Sequence, residues 1–360
     1  MNHELRTMNH ELRTNKAFTL IELVVAIGVL AVVLSFVSVI FRVSIDAHRT
    51  AIANTEIMQK LRAITDQLNA DFKGLRKDGE IFVAWTAKPQ TGAEPNAPGV
   101  YERFDRIMFF ADGDFQSYGV NPMIRGNIAR ICYMLANSPS QDDPKRAHEQ
   151  EPRERILART QHILTADSTL ADFLDPNSFT DEQWYMWNNR YEYDKISLDA
   201  WKKISWRQKV DMLSVISDVT VQPSRITEER NCRGATVSSA DPNSIHMLLC
   251  EGVGGFKIQG WYDVLQRWVP QVDPDGDGDL ADTHFFLDDP ESVPGVLYPY
   301  PPFGGIAINN INYPRELIDE AHFNMIPGLG RALKFTFTLY DSRGIIKRGR
   351  TFTHIVYLGN

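Results

Sequence analysis

Cysteine is scarce: Cys132, Cys232 and Cys250 are the only three in 360 residues. So few exclude a disulfide scaffold, and their spacing matches no zinc-ligand pattern. Cys232 and Cys250 are the nearer pair; in an oxidising compartment they are candidates for one disulfide, with buried thiols as the alternative. Cys132, inside the apolar NIARICYML, reads as a buried thiol. No basic run stands out, and the formal net charge is -8. Nucleic acid is therefore not expected as a direct partner. Catalytic signatures are missing too. There is no Gly-x-Ser-x-Gly, no His-Glu-x-x-His and no phosphate-binding glycine loop, and GVGGF from Gly252 lacks the spacing and following helix of a dinucleotide site. His162, His246 and His354 fall in strand-like runs and read as structural residues. The chain is expected not to be an enzyme.

What stands out is one long apolar run. From Phe18 to Phe41 the sole charge is Glu22. A helix of this length spans roughly 36 Å, enough for a hydrocarbon core. Backbone groups in lipid must pair internally, which makes the run a helix. Arg13 and Lys16 precede it and place the N-terminus in the cytoplasm. Before them MNHELRT occurs twice, at residues 1–7 and 8–14. The repeat reads as a duplicated start, with Met1 or Met8 as initiator, and is set apart from the fold. A carboxylate inside a bilayer is costly, so Glu22 needs either the nearby interface or a cationic partner. A cut between Ala17 and Phe18 would supply that partner as a free amine on a neighbouring subunit.

At these residues the chain resembles the type IV prepilin family: A-FTLIELVVAI is similar to the processing site and mature N-terminus. The family usually carries Gly where this chain has Ala17. The resemblance implies a leader over 1–17 and cleavage by prepilin peptidase between Ala17 and Phe18. It also implies N-methylation of Phe18, and assembly through Glu22 against a neighbour's terminal amine.

Beyond Arg42 the helix is expected to continue as an amphipathic stalk over 42–76. Ile57, Leu61, Ile64, Leu68, Phe72 and Leu75 form one apolar stripe at spacings of three and four. Gly74 and the KDG from Lys77 mark its stop. Residues 77–360 then form the body. IFVAW from Ile81, DRIMFFA from Asp105, NIARICYML from Asn127 and RILARTQHIL from Arg155 read as strands. So do SIHMLLCEGVGGFKIQGWYD from Ser244, RALKFTFTLYD from Arg331 and TFTHIVYLG from Thr351. The stretch 166–215 is rich in aromatics and charge and reads mainly as a helical or irregular insertion. A second stretch, about 270–325, is rich in Pro, Gly and Asp and reads as a long surface insertion. The fold class is α+β.

The end of the chain is similar to the minor pseudopilin J family of type II secretion. LLCEGVGGFKIQGWYD, then Trp268 and Pro270, then IPGLGRALKFTFTLYD carry the likeness, with Ile326 where the family has Leu before Pro327. The resemblance implies a pilin-like fold: a long N-terminal helix packed on an antiparallel sheet. It implies a body in the periplasm, a single-pass anchor in the inner membrane and incorporation into a pseudopilus. The implied partners are I-like and K-like minor subunits, the major pseudopilin and secreted proteins. The alternatives are a minor pilin of a type IV pilus and, third, a membrane-anchored receptor that never enters a filament.

One acidic loop suggests a metal. In DPDGDGDLAD, Asp273, Asp275 and Asp277 alternate, Gly278 follows, and Asp279 and Asp282 add carboxylates. Calcium wants six to eight oxygens, with a glycine at the sharp turn. The twelfth position is His284 rather than Glu, which departs from a standard EF-hand. A solvated Asp-Gly turn is the competing reading.

Overall fold

The structure is a computed structural model. It describes residues 19–76, 79, 81–89, 101–118, 123–138, 147–167, 192–203, 237, 244–262, 266–269, 304–308 and 331–358. The chain divides into two compact units, Met1–Ile52 and Ala53–Asn360.

Helix α1 runs over Leu20–Lys73. Its residues from Leu20 to Ile52 are all exposed. In the second unit Ala53, Ile57, Ile64, Leu68 and Phe72 are buried, with Leu61 and Leu75 packed partly against the same core. This is the stripe read from the sequence, and its period of three and four is what lets one helix face meet a sheet. The helix stops at Lys73 because the chain then joins the sheet, Leu75 bridging Ala111 antiparallel and the Arg76 amide donating to the Phe110 carbonyl at 2.8 Å. Gly74 accepts a bond from the Asp112 amide at 2.7 Å. A Cβ at Gly74 would lie 2.2 Å from the Asp112 carbonyl, so only glycine fits.

The strands of the second unit are β1 (Phe82–Pro89), β2 (Tyr101–Arg103), β3 (Arg106–Gln116), β4 (Arg125–Leu135), β5 (Ile156–Leu164), β6 (Tyr193–Asp194), β7 (Leu248–Glu251), β8 (Val253–Tyr262), β9 (Arg267–Val269), β10 (Gly304–Ile308), β11 (Ala332–Leu339) and β12 (Arg350–Tyr357). A short helix α2 covers Leu198–Lys203. One sheet has the order β10-β1-β3-β4-β5-β6, with β2 beside β1 and β7 beside β5; the other has the order β12-β11-β8-β9. Every strand pair is antiparallel except β5 with β6. Ile107, Phe109, Ile131, Tyr133 and Leu157 from the first sheet share one core with Phe256, Phe335 and Phe337 from the second, and with the stripe of α1. Phe72 stacks on Phe109 at 4.3 Å and meets Phe335 at 5.7 Å. Each such ring contributes about 1.5–3 kcal/mol by leaving water.

Two insertions differ from the sequence reading. Within 166–215, residues 192–203 belong to the core. Tyr193 and Asp194 extend the first sheet beside β5, and Trp201 is buried against Phe110 with ring centroids 5.4 Å apart. Arg130 grips Asp194 through Nε at 2.7 Å and Nη2 at 3.2 Å. The cause is visible in β3 and β4, whose buried runs are continuous rather than alternating. Both faces of that sheet are covered, and this segment covers the second. Within 270–325, residues Gly304–Ile308 are not surface loop but a strand paired to β1, Phe82 facing Ile308 and Thr86 facing Gly304. His246 also departs from expectation: it sits in the 3-10 turn Ile245–Met247 that precedes β7.

Candidate functional site

The first turn of α1 carries a reciprocal cap. Glu22 Oε2 accepts from the Thr19 backbone amide at 2.9 Å and from its hydroxyl at 3.0 Å. In return the Glu22 amide donates to Thr19 Oγ1 at 3.3 Å. Four amides at a helix start lack an intrahelical partner, and the Thr-x-x-Glu box satisfies two sites at once. Both side chains remain exposed, as do the apolar neighbours Leu20 and Ile21. The signal for this cap, Thr19-Leu20-Ile21-Glu22, lies in the sequence, where Glu22 reads as a carboxylate needing the interface or a cation and the cap itself goes unread.

The rest of the apolar run meets the demands of a lipid environment. Ser35 and Ser38 return their hydroxyl protons to the Ala31 and Leu34 carbonyls, each at 2.8 Å. Their polarity is absorbed within the helix. By length and composition the helix is able to cross a membrane.

Several predicted residues lie outside the described residues: Ala17, Phe18, Asp273, Asp275, Asp277, Asp279, Asp282 and Cys232. Cys250, the suggested partner of Cys232, is a buried free thiol, and so is Cys132. Burial pushes both thiols up to about 11. His162 is buried in β5. His354 in β12 places Nε2 2.9 Å from Asn69 Oδ1 on α1, and burial lowers its pKa.

Polar contacts that the sequence did not reveal fix the second-unit part of α1 to the sheets. Asp71 is buried beside the stripe. Arg159 on β5 forks onto it through Nε at 2.7 Å and Nη2 at 2.8 Å. Gln67 donates to the same carboxylate at 3.1 Å, and the Tyr133 hydroxyl donates to it as well. Burial raises the Tyr133 pKa well above its ordinary value, and the Asp71 charge adds to this. Burial alone would lower Arg159, but the bonds and charge of Asp71 leave it raised. About three turns earlier, Lys60 pairs with Glu56 at 2.9 Å and donates to the Tyr340 carbonyl at 2.8 Å. Glu56 accepts from the Ser342 amide at 2.8 Å and from its hydroxyl at 3.1 Å.

Residues 12–38 match the family model for the prokaryotic N-terminal methylation motif. This is a type IV prepilin-like N-terminal segment. The match spans the Ala17–Phe18 junction, the Thr19–Glu22 cap and most of the apolar run. It implies processing by prepilin peptidase and assembly with other pilin-like subunits, and the apolar helix fits the single membrane anchor of such a protein. The prepilin-like start is followed by a β-sheet body, an α+β arrangement. No curated protein and no solved structure matches the chain.

Proposed function

We propose that this prepilin-like protein is a J-like minor pseudopilin of a type II secretion system. It sits at the pseudopilus tip with I-like and K-like subunits, primes the filament and contacts exported proteins. The observation that carries the reading is the apolar helix opening on Thr-Leu-Ile-Glu inside the methylation motif. The order of strands in the body and the Trp268 and RALKFTFTLYD segments support the J-like assignment by resemblance. In this reading the fold is pilin-like, the N-terminus is cytoplasmic and the body periplasmic. The role is structural rather than catalytic.

The mechanism follows from charge and burial. Peptidase cleavage after Ala17 leaves a cationic amine on Phe18, which is then N-methylated. Glu22 is held on the first turn by Thr19 with its carboxylate exposed. A neighbour's amine pairs with it when apolar helices bundle, and the pair offsets the cost of both charges in a low dielectric.

Replacing Glu22 by Ala in the producing cell separates the readings. A pseudopilin loses export of secreted proteins while surface pili persist. Loss of pili with export intact assigns the chain to a type IV pilus instead. No change in either makes it a membrane-anchored receptor and overturns the proposal.

We further propose that Asp273, Asp275, Asp277, Asp279 and Asp282 hold calcium and stiffen their segment. Alternating carboxylates and Gly278 supply the hard oxygens and the turn such a cation needs. Calorimetric titration of the full chain should show binding; no heat at millimolar calcium removes the site.

A further inference from the structure

Most sheet edges in the described body are short: β9 has three residues and β6 has two. Strand β12 differs. It is eight residues long, and among the described residues it lies at the end of its sheet and pairs with β11 alone. Its register with β11 is unbroken from Ala332–Tyr357 to Leu339–Arg350, with no bulge. It contains no Pro or Lys, and Thr, Phe, Ile, Val and Tyr dominate it. Natural edges are usually blunted by one of these devices.

The backbone of this edge has a known direction. The Leu358 amide donates to the Arg331 carbonyl at 2.8 Å, one step beyond the Ala332–Tyr357 pair. Hydrogen-bonded and non-hydrogen-bonded pairs alternate along an antiparallel ladder. Phe352, His354 and Val356 therefore spend their amides on β11. Thr351, Thr353, Ile355 and Tyr357 turn theirs outward. The far side of β11 agrees, since the Tyr340 amide donates to Gly252 next to β8. The side chains of those four outward residues are exposed too, Ile355 at 39% and Tyr357 at 79%.

A basic turn leads into this edge. Arg343, Lys347, Arg348 and Arg350 are all exposed, and no acid occurs after Asp341. None of the four forms an ion pair among the described residues. The turn is built rather than slack. The buried Asp341 carboxylate accepts from the amides of Ile345 and Ile346, each at 2.8 Å. Gly344 and Gly349 both sit at φ +67°, where a side chain is strained. Among the described residues, Asp341 is committed to this turn, and Glu56 to Lys60 and Ser342.

We propose that β12 is a docking edge for an extended polypeptide segment of a partner protein, added antiparallel and acidic at its C-terminal end. Main-chain bonds to Thr351, Thr353, Ile355 and Tyr357 supply the affinity. Carboxylates beside Arg348 and Arg350 set direction and register. In a chain of net charge -8, this cationic cluster, unpaired among the described residues, is the feature that selects an acidic partner.

The test uses the full chain in detergent micelles. The probe is a labelled ten-residue peptide of alternating Thr and Val ending in three Glu, with a twin ending in three Lys. The acidic peptide should bind about tenfold more tightly than the basic one, the difference expected from a few rim charges. Binding should slow amide exchange at residues 351, 353, 355 and 357 but not at 352, 354 and 356. Thr353→Pro removes one outward amide and no ladder bond, a substitution edge strands tolerate; it should abolish binding. Thr353→Val keeps the amide and should bind as the parent does. Equal binding by the parent and Thr353→Pro, or no binding at all, overturns the proposal. So does self-association through β12, because the edge then belongs to a second copy. If Thr353→Pro fails to fold, the alternating exchange pattern decides alone. These outcomes do not depend on cleavage or filament type.

Discussion

At the scale of single residues, two carboxylates hold opposite ends of α1, and each does so through partners of a different kind. Glu22 is exposed and, among the described residues, bonded only to Thr19, three residues away. It remains accessible to a cation. Asp71 is buried and already satisfied by Arg159, Tyr133 and Gln67. Its work is positional. Removing one partner of a buried ion pair strands the other, a loss of about 3–5 kcal/mol. Asp71→Ala should therefore lower the stability of the body by that amount in urea unfolding of the full chain in micelles. The double variant Asp71→Ala/Arg159→Met should recover part of the loss. A loss below about 1 kcal/mol would mean that the apolar stripe alone holds the helix.

At the scale of elements, the sequence disclosed those with a strong period. The stripe from Ile57 to Phe72 repeats at three and four, and Ala332–Leu339 alternates, with Leu333, Phe335, Phe337 and Leu339 buried. Short strands without room to alternate were illegible. Tyr193–Asp194 is two residues long, and Gly304–Ile308 lies among Pro and Gly. Their places are set by partners far away in sequence, β5 and β1. Asp71 was hidden for the same reason: a carboxylate beside an apolar stripe looks solvated until Arg159 arrives from another strand. The basic turn before β12 escaped notice because glycines and isoleucines separate its cations, so no run appears. The proposed calcium-binding loop and the expected cleavage site rest on local pattern, and both fall outside the described residues. Local chemistry thus disclosed the apolar helix and its prepilin-like start, whereas the Thr19–Glu22 cap and the contacts made across the body needed the fold.

At the scale of the whole molecule, a prepilin-like anchor and an α+β body belong to one chain. The anchor accounts for the apolar run, for its self-contained serines and for the one carboxylate at its start. The body accounts for most of the remaining length, and its two insertions supply strands to the first sheet rather than only loops. The central claim is that this anchor is made to be cut and assembled. Mass spectrometry of the mature N-terminus, from cells with and without prepilin peptidase, tests it most directly. The account predicts a chain beginning at N-methylated Phe18 only where the peptidase is present. A chain still beginning at Met1 or Met8 in cells that contain the peptidase, or one cut beyond Phe41, would contradict it.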